Sequence, residues 1–167
     1  QKIFSNEYFR CYTSSDLIGT EVGGALKNVI AIAAGISDGA GFGDNTKAAI
    51  ITRGLNEIMK LGVRLGAKKE TFYGLSGLGD LVVTCGSLHS RNRSVGFQLG
   101  QGKKLKTILS EMKMVAEGVA TSKSSYQLAK KLGIDSPIVD EVYGILFKNI
   151  NPGSATKKLM LRSLKQE

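Results

Sequence analysis

Apolar positions recur at helical spacing along almost the whole chain. Val22, Leu26, Val29, Ile30 and Ala33 fall on one stripe behind the punctuation Ser14-Ser15-Asp16, which predicts a core-facing helix over about 17–36. Ile51, Leu55, Ile58, Met59 and Leu65 predict a second helix over about 45–66, capped by Asp44 or Asn45. Arg53, Glu57, Lys60 and Arg64, at i, i+4, i+7 and i+11, read as its wet face. Shorter helices are expected near 78–84, 90–100 and 104–111, and a longer one over 117–131 ending near Gly133. Ser136 as N-cap and Pro137 at the first helical position open another, with Ile138, Val142, Ile145 and Leu146 inward. A last helix is expected from about Ser154 towards Leu164. Residues 8–13 break the pattern, being aromatic and β-prone, and read as a short strand with no comparable partner downstream. The expected class is therefore mainly α, a multi-helix domain with a leftover N-terminal strand.

Composition changes this picture little. The 167 residues are enough for one domain with a real core. The 21 glycines exceed the roughly 12 that average usage would supply, so glycine is expected at helix ends and wherever backbones or ligands come close. Net charge is +9, which favours anionic partners. The basic residues are scattered, however, and the five Tyr and six Phe do not interleave with them, so nucleic acid is not the expected partner. Cys11 and Cys85 lie far apart and imply no disulfide framework, which suits a reduced, cytoplasmic setting. Cys85 and His89 form a single pair, too few for zinc, so no metal is expected. The apolar run Val29–Ile36 is far short of the roughly 20 residues that span a bilayer, and no signal peptide is seen. Gln1 in place of an initiator Met reads as the start of a piece of a longer protein.

Three segments carry candidate chemistry. Lys27 lies in the first helix on a stripe of Thr20, Gly23, Gly24, Ala31 and Ala34, where small residues would leave room for something to pack closely. An ordinary lysine on an amphipathic helix is simply solvated. Desolvation on such a stripe would disfavour the charged form, and an amine so placed can exchange a proton with an alcohol. Gly74-Leu-Ser-Gly-Leu-Gly79 is neither a nucleophile elbow nor a dinucleotide fingerprint. It reads as a tight turn delivering Asp80 to a helix start, with Thr84 one turn on. Ser90 can cap the following helix, whose free N–H groups would make a phosphate seat with the Arg91 guanidinium.

Longer ordered runs extend these segments. They are Phe9–Tyr12, Glu21–Gly35, Gly43–Asn45, Thr52–Gly54, Gly74–Cys85, Ser90–Arg93 and Val115–Gly118. Together they resemble the C-terminal domain of the bacterial type of NAD(P)-dependent glycerol-3-phosphate dehydrogenases, a helical fold of the 6-phosphogluconate-dehydrogenase-like type. The likeness covers nearly the whole chain and fades after about residue 120. It implies hydride transfer between NAD(P)H and C2 of dihydroxyacetone phosphate, giving sn-glycerol 3-phosphate for phospholipid synthesis.

By the same resemblance, Lys27 is the proton donor and acceptor, and Asn28 and Asp80 meet the substrate with Thr84 close by. Ser90, Arg91 and Asn92 form the phosphate-binding run, with Arg91 also meeting NAD or NADP, as do Val115 and Glu117. The resemblance implies a partner Rossmann domain, of which residues 1–15 would be the last strand and linker, with 16–167 the helical domain. A homodimer is compatible with it. The alternatives are a non-enzymatic basic module binding phosphate groups or nucleic acid, and a purely oligomeric domain.

Overall fold

The computed structural model describes residues 1–163, in which eight α-helices follow one another. The expected end of the last helix at Leu164 lies outside the described residues. Helix α1 spans Leu17–Gly39, α2 Asp44–Arg64, α3 Asp80–Gly86 and α4 Arg91–Gly100. They are followed by α5 Leu105–Glu111, α6 Glu117–Leu132, α7 Pro137–Lys148 and α8 Pro152–Met160. A 3₁₀ turn over Lys69–Tyr73 and a π-helical turn over Leu75–Gly79 lead into α3. The tight turn before Asp80 was expected, though not its π-helical form, and the 3₁₀ turn was not foreseen.

Helix α1 is the axis of the core. It has the length and hydropathy to cross a membrane, yet its residues 29–37 are all buried within the protein. Asp16 caps it, accepting from the backbone N–H of Gly19 at 2.9 Å and from Lys68 N–H and the Thr71 hydroxyl. Helix α4 crosses α1 at backbone contact. A β-carbon at Gly35 would sit 2.1 Å from the Arg93 carbonyl oxygen, and one at Gly96 2.1 Å from that of Ile32. Gly39 and Gly100 repeat the arrangement one turn along, so two glycine pairs at i, i+4 let the helices meet face to face. Much of the small-residue stripe therefore serves packing rather than a ligand groove. Gly23 faces the Ser76 carbonyl at the π-helical turn, and Ala31 and Ala34 are buried. Only beside Gly24 is there open space.

Five sequence expectations are corrected. Residues 8–13 form no strand, because a strand needs a ladder partner and none of the described residues pairs with them. Glu57 is not on a wet face: it is only 4% exposed, and its carboxylate accepts the backbone N–H groups of Ile138 and Val139 at 2.9 and 3.1 Å. Ser136 occupies the N-cap of α7, but its side chain makes no capping bond, and Glu57 from α2 does that work. At α2 the N-cap is Gly43, with Asp44 the first helical residue. Helix α8 starts at Pro152, two residues before the expected Ser154, and is capped by Asn151, which accepts from Gly153 and Ser154.

Candidate active site

Lys27, near the middle of α1, forms an ion pair with Asp80, the first residue of α3. The π-helical turn sets this pairing, because it swings the α3 start against the glycine side of α1. The Lys27 side chain is 21% exposed and that of Asp80 33%, so both are held by protein and still reachable from outside. Thr84 follows one turn on. Its hydroxyl lies 2.6 Å from the Asp80 carbonyl oxygen and 3.2 Å from the Asp80 carboxylate, which braces the acid on the side away from the lysine. An ammonium has three donors. One goes to Asp80, and the others remain for an oxygen brought in by a ligand.

The second group centres on the start of α4. Ser90 is the N-cap, accepting from Arg93 N–H at 3.2 Å as foreseen. That leaves the N–H groups of Arg91 and Asn92 without intrahelical acceptors at the positive end of the helix. Arg91 is exposed and makes no ion pair among the described residues, so its guanidinium is available to an anion. Asn92 differs from its neighbours. It is 9% exposed, donates to Asn28 Oδ1 at 2.9 Å, and accepts from Gly118 N–H at 2.9 Å. Its side chain is thus engaged within the protein through Oδ1 and one of its two N–H donors, and its backbone N–H has no intrahelical acceptor.

Val115 is 73% exposed just before α6, and Glu117 is the exposed first residue of that helix. Asn92 ties them to the site through the neighbouring Gly118. Sequence reading did not single out the network beneath. Arg93 donates to Asp38, and Lys47 reaches the other Asp38 oxygen at 3.0 Å, fastening α4 and α2 to the end of α1. The only hint was charge at three separated positions. Burial pushes the nearby Cys85 thiol up to about 12, so it offers no nucleophile.

A cavity of about 460 Å³ lies elsewhere, between α1, α2, α7 and α8, and none of Lys27, Asp80 or Arg91 lines it. The chemically equipped surface is instead an open one, where a proton-bearing amine, a carboxylate, an amide and an anion seat surround the middle of α1.

Comparison with known proteins identifies the family. Residues 16–157 match the family described as NAD-dependent glycerol-3-phosphate dehydrogenase, C-terminus. The chain is 62% identical over 167 residues to glycerol-3-phosphate dehydrogenase [NAD(P)+] of Syntrophotalea carbinolica, covering all of this chain and 50% of that protein. It is 60% identical to the enzyme of the same name from Geobacillus thermodenitrificans, covering 49% of it. Among solved structures, glycerol-3-phosphate dehydrogenase from Coxiella burnetii superposes with a TM-score of 0.91 at 42% identity, over 95% of this chain and 49% of that one. The yeast enzyme gives 0.85 at 31%, over 93% and 46%. The chain spans about half the length of the curated relatives it matches. The reading as a non-enzymatic basic module finds no support in these matches. The chain belongs to the family of NAD-dependent glycerol-3-phosphate dehydrogenase C-terminal domains.

Proposed function

We propose that this chain is the substrate-binding and catalytic half of an enzyme interconverting dihydroxyacetone phosphate and sn-glycerol 3-phosphate. The observation that carries the reading is the reachable Lys27–Asp80 pair beside Asn28, whose side chain is bonded to Asn92 in the first turn of α4. A bound NAD(P)H supplies the hydride to C2, and NAD(P)+ takes it back. Lys27 donates a proton to the C2 oxygen as negative charge builds there, leaving a neutral amine that regains its proton from water; in the oxidative direction it accepts the alcohol proton. Asp80 keeps the amine in place in both states, and Thr84 keeps Asp80 in place. The phosphate rests on Arg91, on the backbone N–H groups of Arg91 and Asn92, and on the Ser90 hydroxyl, whose own proton is still free to donate. Asn28 adds an amide beside the reacting carbon.

The cofactor would lie along Arg91, Val115 and Glu117. An exposed aliphatic side chain beside an exposed carboxylate suits an aromatic ring and a ribose hydroxyl, respectively. A Rossmann domain is the natural other wall, with residues 1–15 leading to it and 16–167 forming the helical half. Exposed Tyr8, Phe9, Val82, Val83 and Leu88 provide apolar surface for such a neighbour. Cytoplasmic location, supply of phospholipid synthesis and a homodimer complete the reading. The test joins this chain to its nucleotide-binding domain and assays reduction of the nicotinamide with glycerol 3-phosphate and with glycerol. Turnover confined to the phosphorylated alcohol is expected; equal turnover of glycerol would sink the phosphate seat, and none with either would sink the enzyme.

A further inference from the structure

The side chains of Asn28 and Asn92 form a directional chain that begins at a group whose polarity is not in doubt. Gly118 N–H can only donate, and its acceptor at 2.9 Å is Asn92 Oδ1. The other end of the Asn92 amide must then be its NH₂, which donates to Asn28 at 2.9 Å. What Asn28 offers in return is therefore Oδ1, and its own NH₂ points the other way. There it meets only the Gly24 carbonyl at 3.4 Å, a weak contact, and a β-carbon built at Gly24 would find open space within 4 Å.

We propose that Asn92 is a positioning residue that locks the amide of Asn28 with its NH₂ outward, so that Asn28 meets substrate as a hydrogen-bond donor and never as an acceptor. An unlocked asparagine can turn over and present either end. Locking it removes the wrong state before substrate arrives, which is preorganisation of a donor towards an oxygen. Gly118 is part of the device. A β-carbon there would sit 2.7 Å from Asn92 Oδ1 and 2.8 Å from the Asn28 carbonyl oxygen, so α6 could not come close enough to deliver its N–H. The start of α6, where Glu117 lies, is thereby tied to the polarity of Asn28.

The catalytic consequence rests on the proposed dehydrogenase reading; the polarity itself does not. It is tested first by nuclear magnetic resonance on the ¹⁵N-labelled chain alone. The buried, donating Asn92 side-chain NH₂ is expected to exchange slowly with water and the Asn28 NH₂ quickly. The reverse order overturns the lock, whatever the enzyme does. In the enzyme joined to its nucleotide-binding domain, Asn92→Asp keeps the acceptor for Gly118 N–H but takes away the donor to Asn28, whose amide then turns over towards the new carboxylate.

The expected loss in kcat is about 10²-fold, that of one preorganised donor, with little change in KM. Adding Asn28→Ala to Asn92→Asp should then cost almost nothing more, because both act through one amide. A raised KM with unchanged kcat would mean that the Asn92 side chain grips the phosphate directly, and fully additive losses would separate the two residues. Either outcome ends the proposal. If Gly118 N–H loses its protection in Asn92→Asp, the exchange order in the unaltered chain decides.

Discussion

The Arg93 guanidinium donates through Nε and Nη2 to one carboxylate oxygen of Asp38, at 3.0 and 2.6 Å, fixing the first turn of α4 to the end of α1. Both side chains are nearly buried, at 12% and 11% exposure, and Lys47 shares the acid. Asp38→Asn would leave the poorly solvated Arg93 without a counter-charge and Lys47 with only the exposed Asp44 at 3.5 Å. Breaking such a buried network costs about 3–5 kcal/mol. A fall of that size in urea stability is expected, and a loss below about 1 kcal/mol would show that the network carries no weight.

The contact between α1 and α4 makes a second, independent demand. Gly96→Ala places a methyl group 2.1 Å from the Ile32 carbonyl oxygen, where backbone must move. Overpacking of this kind costs about 1–3 kcal/mol. Because the same crossing positions the start of α4, where the phosphate seat lies, KM for the phosphorylated substrate should rise as well. Unchanged melting and unchanged KM together would contradict the packing described.

Glu57 gives the fold a pH dependence of known sign. Burial pushes its carboxyl up to about 7, against the pull of the Ile138 and Val139 N–H groups and with help from Asp140 and Asp135. The folded value lies above the ordinary 4.5, so its contribution to stability is fully present below pH 4.5 and is lost as pH rises through 7. Asp16 acts oppositely and lower down. The Thr71 hydroxyl and Gly19 N–H hold it below the usual carboxylate range, and its contribution is lost on acidification below about pH 4. Glu57→Gln keeps an acceptor for α7 and removes the proton. Urea midpoints at pH 5 and pH 8 should differ in the parent and converge in the variant; equal differences in both would place the titration elsewhere.

Why Glu57 escaped notice in the sequence is instructive. At i, i+4 with Arg53 and near Lys60 it looks like any solvated helix face, and its true partners are 81 and 82 residues away. Periodicity exposes local structure, so the eight helices could be placed to within a few residues. It does not expose a cap supplied by another helix. Residues 8–13 carry the composition of a strand, but composition cannot create a ladder partner. The stripe beside Lys27 was legible as unusual and was assigned to ligand space, whereas Gly35, Gly39, Gly96 and Gly100 show that small residues here chiefly let two backbones touch. Lys27, Asp80 and Thr84 are joined by hydrogen bonds, and Arg91 is exposed at the start of α4. The Asn92 side chain bonds to Asn28 and Gly118, partners that the sequence did not single out.

Arg91 separates binding from chemistry. As the exposed first residue of α4 it has no partner to lose within the described fold, so Arg91→Ala should leave stability intact. Charge-assisted bonds are worth about 1.5–3 kcal/mol, so KM for glycerol 3-phosphate should rise about 10- to 100-fold with a smaller effect on kcat. An unchanged KM would put the phosphate somewhere else.

The most direct measurement is the hydride-transfer rate of Lys27→Ala in a single turnover, in the enzyme joined to its nucleotide-binding domain and saturated with substrate. Loss of a positioned general acid–base lowers that rate by about 10²- to 10⁴-fold, with cofactor affinity retained, and that is the result expected if the Lys27–Asp80 pair moves the proton. A hydride-transfer rate within a few-fold of the parent would contradict it.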